Sequence, residues 1–165
     1  AATGDVVVVL HADSRLLPGT LARIMAALGR HPEAPGGACG MRFGKGEGRL
    51  RFVAWLNNRR AELFGIGFGD QAQFFRREAL EAAGGFPDLP LMEDVELSLR
   101  LKSLGQPLFL PQGVEVSPRR WQRRGVISNF LTAGALFLRY LAERQWHAPG
   151  AALTDYYRRY YRDTQ

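Results

Sequence analysis

Apolar residues along the chain recur with the periods of strands and helices in alternation. Residues 6–10 form a short run of β-branched and aliphatic side chains, which is typical of a strand buried on both faces of a parallel sheet. Residues 20–29 carry apolar side chains at intervals of three and four, at Leu21, Ile24, Met25 and Leu28. This spacing predicts an amphipathic helix directly after the first strand.

The remainder of the chain continues the alternation. Residues 35–48 hold six glycines and little apolar periodicity, so we predict a loop there with a short strand near 39–43. Helical spacing predicts further helices over 50–64, 77–83, 91–104 and 125–143. Short strands are predicted over 73–75, 108–110 and 114–116. We therefore expect an α/β sheet flanked by helices over residues 1–116, followed by a helical tail over 117–165.

Composition limits the class of protein. The chain has 165 residues, of which 46% are hydrophobic and 23% charged, which fits one compact domain and excludes a disordered, collagen-like or coiled-coil chain. Cys39 is the single cysteine, which excludes an intramolecular disulfide or a cysteine-based zinc cluster and suits a reducing compartment. No stretch reaches the roughly 18 consecutive apolar residues of a membrane span, and the first residues lack the basic region of a secretory signal. We expect a cytoplasmic protein.

The positive charge lies in the tail. The net charge is +6. Residues 1–116 carry 13 basic and 13 acidic side chains, whereas residues 117–165 carry nine arginines and three acids. A localised basic surface favours an anionic partner, such as a diphosphate, an acidic membrane face or nucleic acid.

Three acidic sites fall where predicted elements begin or end. His11 and Asp13 follow the first strand, at the sheet edge where α/β proteins hold ligands, and a carboxylate there suits Mg²⁺ or Mn²⁺. Asp70 follows a glycine-rich turn, and Glu93 and Asp94 begin a helix. Each site also has a simpler explanation, since Asp stabilises turns and acids favour the first turn of a helix. Together, the three sites favour a functional cluster.

A basic and aromatic motif follows the last predicted strand. It reads Arg119-Arg120-Trp121-Gln122-Arg123-Arg124. Guanidinium groups bind phosphate oxygens through paired hydrogen bonds, and an indole ring stacks against another ring or covers a sugar. A solvated basic surface in front of a helix explains the same residues without any ligand.

Taken in order, these motifs resemble those of the family 2 glycosyltransferases, which have the Rossmann-like GT-A fold. The resemblance runs through Leu10-His11-Ala12-Asp13-Ser14, Gly69-Asp70-Gln71, Phe86-Pro87-Asp88, Met92-Glu93-Asp94-Val95-Glu96-Leu97 and Arg119-Arg120-Trp121. Within that family, the chain looks most like small bacterial glycosyltransferase-like proteins associated with radical-SAM/selenoprotein-type gene neighbourhoods. The resemblance covers about residues 4–140 and depends on the order of the motifs, because no single motif is specific.

The resemblance implies a role for each acidic candidate. Asp13 matches the last acid of the motif that holds a divalent metal, Mn²⁺ or Mg²⁺, and the donor diphosphate, and His11 stands where the first acid usually stands. Asp94 matches the catalytic base, with Glu93 as its neighbour. Asp70 matches an acid near the acceptor-side pocket.

The resemblance also implies contacts to substrate. Gln71, next to Asp70, is a further substrate-binding candidate. Arg120 and Trp121 match the Arg-Trp of the motif that closes over the diphosphate, although the leading glutamine of that motif is absent, and Arg119 adjoins them. The implied reaction is inverting transfer of a sugar from a nucleotide-diphospho-sugar to an acceptor hydroxyl. In that reaction, a metal on Asp13 and the arginines neutralise the leaving diphosphate, while Asp94 accepts the proton.

The resemblance further leads us to expect the carboxyl-terminal part of such a domain. Family members begin with a strand and βα units that bind the nucleotide, whereas this chain starts a few residues before the metal-binding strand. A first strand without a neighbour favours association, so we expect a homo-oligomer or dependence on an amino-terminal segment. The apolar segment 126–141 between arginines favours peripheral contact with the inner face of the membrane.

Two other functions stay open at the level of sequence. The tail, with alternating tyrosines and arginines over 156–162, fits a nucleic-acid-binding module. The first 116 residues disfavour a nucleic-acid partner, because their charges balance and they hold the ordered acidic sites. A non-catalytic binding or scaffold fragment with unused acids is the other alternative.

Overall fold

A computed structural model describes residues 3–44 and 48–145, which form a mixed α/β fold. One sheet has five strands in the order β1-β4-β3-β5-β2. The strands are Val6–Val8 (β1), Ser14–Leu16 (β2), Gly36–Phe43 (β3), Phe74–Arg76 (β4) and Leu108–Val116 (β5). The helices are Thr20–Arg30 (α1), Gly48–Phe64 (α2), Arg77–Ala82 (α3), Glu93–Lys102 (α4), Arg119–Arg124 (α5) and Val126–Gln145 (α6), and Gly69–Gln71 forms a 3-10 turn.

The centre of the sheet is the parallel pair β3 and β5, and the other pairs are antiparallel. Three of the six glycines that predicted a loop belong instead to β3, where they allow close approach of its neighbours. A Cβ atom on Gly37 would overlap the carbonyl group of Leu108 in β5. On the β5 side, a Cβ atom on Gly113 would lie 2.5 Å from Cβ of Cys39. Cys39 is therefore fully buried in the middle of the sheet.

The first strand lies at an edge of the sheet, so the prediction of a strand buried on both faces of a parallel sheet is wrong. Within the described residues, β1 pairs only with β4, in antiparallel register, and its three valines are half-buried. The apolar side chains of α1 are only partly buried. Ile24 and Leu28 are buried, whereas Leu21 and Met25 are more than half exposed.

The main core lies between the sheet and the helices α1 and α2. It includes Ile24, Met41, Val53, Phe74 and Val114. The part of the tail that the structure describes joins this core, because Trp121, Val126 and Phe130 pack against it, and the side chain of Tyr140 is fully buried beside Val95. The rest of the predicted tail, residues 146–165, lies outside the described residues.

Across residues 3–44 and 48–145, none of the helices combines the length and the hydropathy that a bilayer span requires.

Candidate active site

Six of the site residues predicted from the sequence, Trp121 among them, line one cavity of about 180 Å³. We call it the acid cavity, and its polar walls are His11, Asp13, Asp70, Glu93 and Asp94. These residues come from the segment between β1 and β2, the 3-10 turn and the start of α4. The fold therefore brings together three acidic sites that are separated by more than 80 positions along the chain.

Asp94 holds the 3-10 turn against the start of α4. One of its carboxylate oxygens, Oδ2, accepts the backbone N–H of Gly69 at 2.6 Å, and Oδ1 accepts the N–H of Val95 at 2.7 Å. Burial raises the pKa of the Asp94 carboxyl, although these two hydrogen bonds oppose the shift. Burial and the neighbouring Asp94 likewise raise the pKa of Glu93, which makes no ion pair with the described residues.

The backbone on both sides of the acids is strained. Ala72, which follows the 3-10 turn, has a φ of 42°, and Met92, which precedes α4, has a φ of 63°. Left-handed conformations are uncommon in residues other than glycine, and they persist where the surrounding structure holds them, often at functional sites. No motif in the sequence marks these two positions.

Asp70 carries an unsatisfied oxygen at the floor of the cavity. Its Oδ1 atom is buried and has no hydrogen-bond partner within the described residues. Burial raises the pKa of Asp70 to about 6, Arg60 lowers it, and the charges of Asp94 and Asp13 raise it further. Asp70 is therefore a carboxyl group that holds a proton in weak acid and lies close to two other acids.

Arg60 is the main positive charge beside these acids, and sequence reasoning missed it. Its guanidinium carbon lies 3.2 Å from the ring centroid of Phe68. Burial lowers the pKa of Arg60 to about 10, whereas Asp70 and Asp94 raise it. The residue belongs to the middle of α2, where nothing in the local pattern distinguishes it from the neighbouring Arg59.

Gln71 does not line the acid cavity, so the structure gives no support to its predicted contact with substrate. Its side chain is fully buried. Its Oε1 atom accepts hydrogen bonds from Arg60 at 2.7 Å and from the backbone N–H of Phe68 at 3.1 Å. The geometry instead gives Gln71 the role of fixing the 3-10 turn to α2.

His11 and Asp13 form a pair at the mouth of the cavity. Nδ1 of His11 lies 3.0 Å from Oδ1 of Asp13, and the Ser14 hydroxyl donates to the same oxygen at 3.2 Å. Among residues 3–44 and 48–145, no group of three or more His, Cys, Asp or Glu side chains is arranged to hold a metal ion. The oxygens of Asp13 are too few to hold Mg²⁺ or Mn²⁺ alone. They fit such an ion where phosphate oxygens supply further ligands, as when one or two carboxylates share the ion with a bound diphosphate.

Asp13 also borders a second, more open depression. Arg119 and Ser117 line it on the other side of the carboxylate, and Arg119 is exposed. Trp121 lines the acid cavity and packs edge-on against Phe43, with ring centroids 5.7 Å apart. The side chain of Arg120 lies outside the described part of the structure.

No protein-family model matches the chain, and no curated protein is significantly similar to it. The family resemblance of the motifs stays a prediction.

The arrangement is suited to proton transfer next to a cation or a phosphate group. Four carboxyl groups line one cavity, and burial raises the pKa of three of them, those of Asp70, Glu93 and Asp94. Carboxyl groups with raised pKa values in a cavity are typical of acid and base catalysis. On the far side of Asp13, Arg119 offers a guanidinium group to an anion.

Proposed function

We propose that the chain is part of a glycosyltransferase that moves a sugar from a nucleotide-diphospho-sugar to an acceptor hydroxyl with inversion. One observation carries this proposal: Asp13, Asp70, Glu93 and Asp94 meet at a single cavity with Trp121. These residues occur along the chain in the same order as the motifs of the family 2 enzymes. A turn or cap function for each acid explains its position in the chain, but not why all of them share one cavity.

Asp94 is the proposed base. Both of its oxygens accept a backbone N–H, but an ionised carboxylate has about four acceptor positions, so each oxygen can take a further hydrogen bond. The acceptor hydroxyl donates to one of them and loses its proton as the new glycosidic bond forms. Burial makes the carboxylate a stronger base by raising its pKa. Attack from the side opposite the leaving diphosphate inverts the anomeric carbon.

Asp13 and Arg119 are the proposed contacts of the donor diphosphate. Arg119 supplies hydrogen bonds and positive charge to phosphate oxygens, and Asp13 supplies a ligand for Mn²⁺ or Mg²⁺. When bound, the ion would neutralise the negative charge that accumulates on the leaving diphosphate. The exposed side chain of Asp13 leaves Oδ2 open, because the contacts from His11 and Ser14 both go to Oδ1.

Release of the nucleoside diphosphate tests the proposal directly. The protein is incubated with Mn²⁺, a mixture of alcohols and the diphosphate sugars of uridine, guanosine and thymidine, and the free diphosphate is measured. We expect release with one nucleotide and loss of release in Asp94→Asn. Glu81→Gln, an exposed acid on α3, is the matched control. Absence of both release and calorimetric binding for every donor would contradict the proposal.

A further inference from the structure

A second cavity of about 220 Å³ opens between α2 and α6. We call it the α2–α6 groove. Its walls are mostly apolar, with Leu56 from α2, Trp121 from α5, and Phe130, Gly134 and Phe137 from α6. The acid cavity has a different chemistry, although the two cavities lie side by side.

The two cavities share a wall. Phe68, Asp70, Trp121 and Ala133 line both of them. A molecule that reaches Asp70 from the acid cavity therefore meets the apolar walls of the groove directly behind it. We treat the two as one site with a charged end and an apolar end.

Arg60 and Asn57, the polar side chains beside the groove, make hydrogen bonds within the protein. Each side-chain nitrogen of Arg60 donates a hydrogen bond: Nε to the carbonyl of Ile66, Nη1 to Oδ1 of Asn57, and Nη2 to Oε1 of Gln71. The amide nitrogen of Asn57 points to the sulfur of Met41 at 3.8 Å. Three of the five N–H groups of Arg60 are therefore held by the protein. The groove offers a ligand almost entirely aromatic and aliphatic surface.

One polar atom that has no partner among the described residues lies at the junction where the acid cavity and the groove meet. Oδ1 of Asp70 is buried and lacks a hydrogen-bond partner within the described residues. A buried acceptor without a donor costs about 1–3 kcal/mol, and a group that binds there or a catalytic role explains such an atom. A hydroxyl group is a suitable donor in this position, because it can satisfy Oδ1 and still approach Asp94 in the same cavity.

We infer that the acceptor is an alcohol with an apolar body, whose hydroxyl group lies between Asp70 and Asp94 and whose body fills the α2–α6 groove. The inference rests on the proposed function for the fate of the hydroxyl, but not for the binding of the alcohol. A dry cavity of roughly 150 Å³ is enough for a benzene ring, so this groove accommodates a phenyl group or a short branched chain. Polar alcohols such as glycerol satisfy the junction but leave the groove unfilled.

Gly134 offers a way to block the groove without disturbing the fold. It lies within α6 and lines the groove, and a Cβ atom built on it meets no other atom within 4 Å. Leucine there fills the cavity and also has a higher helix propensity than glycine. The matched control is Ala135→Leu, since Ala135 is the next residue of the same helix and is exposed.

The first experiment measures binding without any donor. Phenylpropanol, with glycerol as the polar comparison, is titrated into the protein while the amide chemical shifts are followed by NMR. We expect saturable shifts at α2, α6 and the 3-10 turn for phenylpropanol only. Gly134→Leu should weaken its affinity by about tenfold or more, because the new side chain takes the place of the ligand, whereas Ala135→Leu should leave it unchanged. Shifts elsewhere, or equal affinity in all three proteins, would overturn the inference.

The second experiment separates the two proposals. With an active donor, we expect transfer to phenylpropanol in preference to glycerol, and a higher KM for phenylpropanol in Gly134→Leu. Binding in the groove with no transfer from any donor would contradict the proposed function and leave the apolar site standing. Transfer to both alcohols at equal kcat/KM, unaffected by Gly134→Leu, would overturn the apolar site while supporting the glycosyltransferase.

Discussion

The Asp94 carboxylate and the backbone N–H of Gly69 are joined by a hydrogen bond of 2.6 Å. This contact joins the start of α4 to the turn that carries Asp70. A Cβ atom on Gly69 would lie 3.4 Å from Oδ2 of Asp94 and 3.6 Å from the ring of His11. Both are ordinary van der Waals distances, so Asp94 and His11 lie directly against position 69.

Removal of the proposed base should abolish transfer without loss of the fold. In Asp94→Asn, the amide oxygen can still accept one backbone N–H, so the turn should stay attached to α4. Transfer should fall about 10²–10⁴-fold, which is typical for loss of a general base, while donor binding measured by calorimetry stays near its original value. Normal turnover in a folded Asp94→Asn protein would remove Asp94 from the mechanism.

The metal prediction compares two neighbouring residues. Asp13→Ala should weaken Mn²⁺- or Mg²⁺-dependent binding of a nucleoside diphosphate far more than His11→Ala, because these ions prefer oxygen ligands. Calorimetric titration of both variants, with and without the ion, provides the measurement. An equal loss of affinity in both variants would mean that His11 is a metal ligand as important as Asp13. No loss of affinity in either variant would disprove the metal site.

The raised pKa of Asp70 predicts how stability depends on pH. Because the carboxyl has a pKa of about 6 in the folded protein and about 4 when unfolded, the folded state holds the proton more tightly between these values. Ionisation of Asp70 therefore lowers the free energy of unfolding as pH rises from about 4 to about 6. Asp70→Asn should show no such loss, so its advantage over the unsubstituted protein should grow to at most about 2–3 kcal/mol at pH 7.

Urea unfolding at several pH values measures this difference. The comparison with Asp70→Asn removes the contributions of other groups, such as Glu96, whose ion pairs act in the opposite direction. A constant difference between the two proteins from pH 4 to pH 7 would show that Asp70 titrates normally.

Tyr140 anchors α6 to α4. Its hydroxyl donates to Glu96, which also receives hydrogen bonds from Arg100 and Arg144. Burial alone would raise the pKa of Glu96, but these three hydrogen bonds outweigh burial and lower it. Tyr140→Phe should therefore reduce the free energy of unfolding by about 1.5–3 kcal/mol, the range for a hydrogen bond to a charged group.

An exposed ion pair on the same helix provides the control. Arg139 and Glu143 pair on α6 at 2.7 Å, with the Arg139 side chain 55% exposed. Arg139→Gln should cost less than about 1 kcal/mol, as measured by the same urea titrations. A similar cost for both variants would mean that the hydrogen bond from Tyr140 to Glu96 contributes no more than an ion pair at the surface.

Association of the chain is a further prediction. No other strand of the described residues covers the outer edge of β1, and the side chains of Leu21 and Met25 are exposed. Both features favour a second copy or another segment beside them. Light scattering coupled to size exclusion should show a mass that rises with concentration, and Met25→Asp should reduce it. A concentration-independent monomer near 18.4 kDa would contradict the prediction.

Peripheral membrane contact is tested with the same material. Phe52 and Trp55 stack on the outer face of α2 with ring centroids 5.8 Å apart, and both are more than half exposed. Flotation with anionic vesicles, but not with neutral ones, is the expected result, because the chain has a net charge of +6. Absence of the protein from both vesicle fractions would contradict it.

The acidic candidates could be selected from the sequence because each lies next to a local signal for the start or end of a strand, turn or helix. Asp13 follows an apolar run, and Asp94 starts a helix that the spacing of Leu97 and Leu101 predicts. The helices α1, α2, α4 and α6 also follow their apolar periods to within a few residues.

Other features depend on contacts between distant segments and have no local signal. The glycines of β3 have the composition of a loop, and only the neighbouring strand β5 shows why they belong to a sheet. The valines of β1 are equally compatible with an edge strand and a buried central strand, so the sequence alone does not distinguish the two positions. Arg60 became part of the site only because α2 packs against the 3-10 turn. The apolar period that predicts α6 also contains Phe130 and Phe137, but which of its side chains line a cavity depends on α2.

The burial of Cys39 sets the chemical behaviour of the only sulfhydryl in the sequence. Burial raises the pKa of its thiol to about 11, and the sulfur lies where β3 and β5 meet. At neutral pH, an oxidant or alkylating reagent therefore encounters neither an accessible sulfur nor a thiolate. Reaction requires β3 and β5 to separate, so the rate of covalent labelling at this residue follows the opening of the sheet and is independent of the chemistry at the acid cavity.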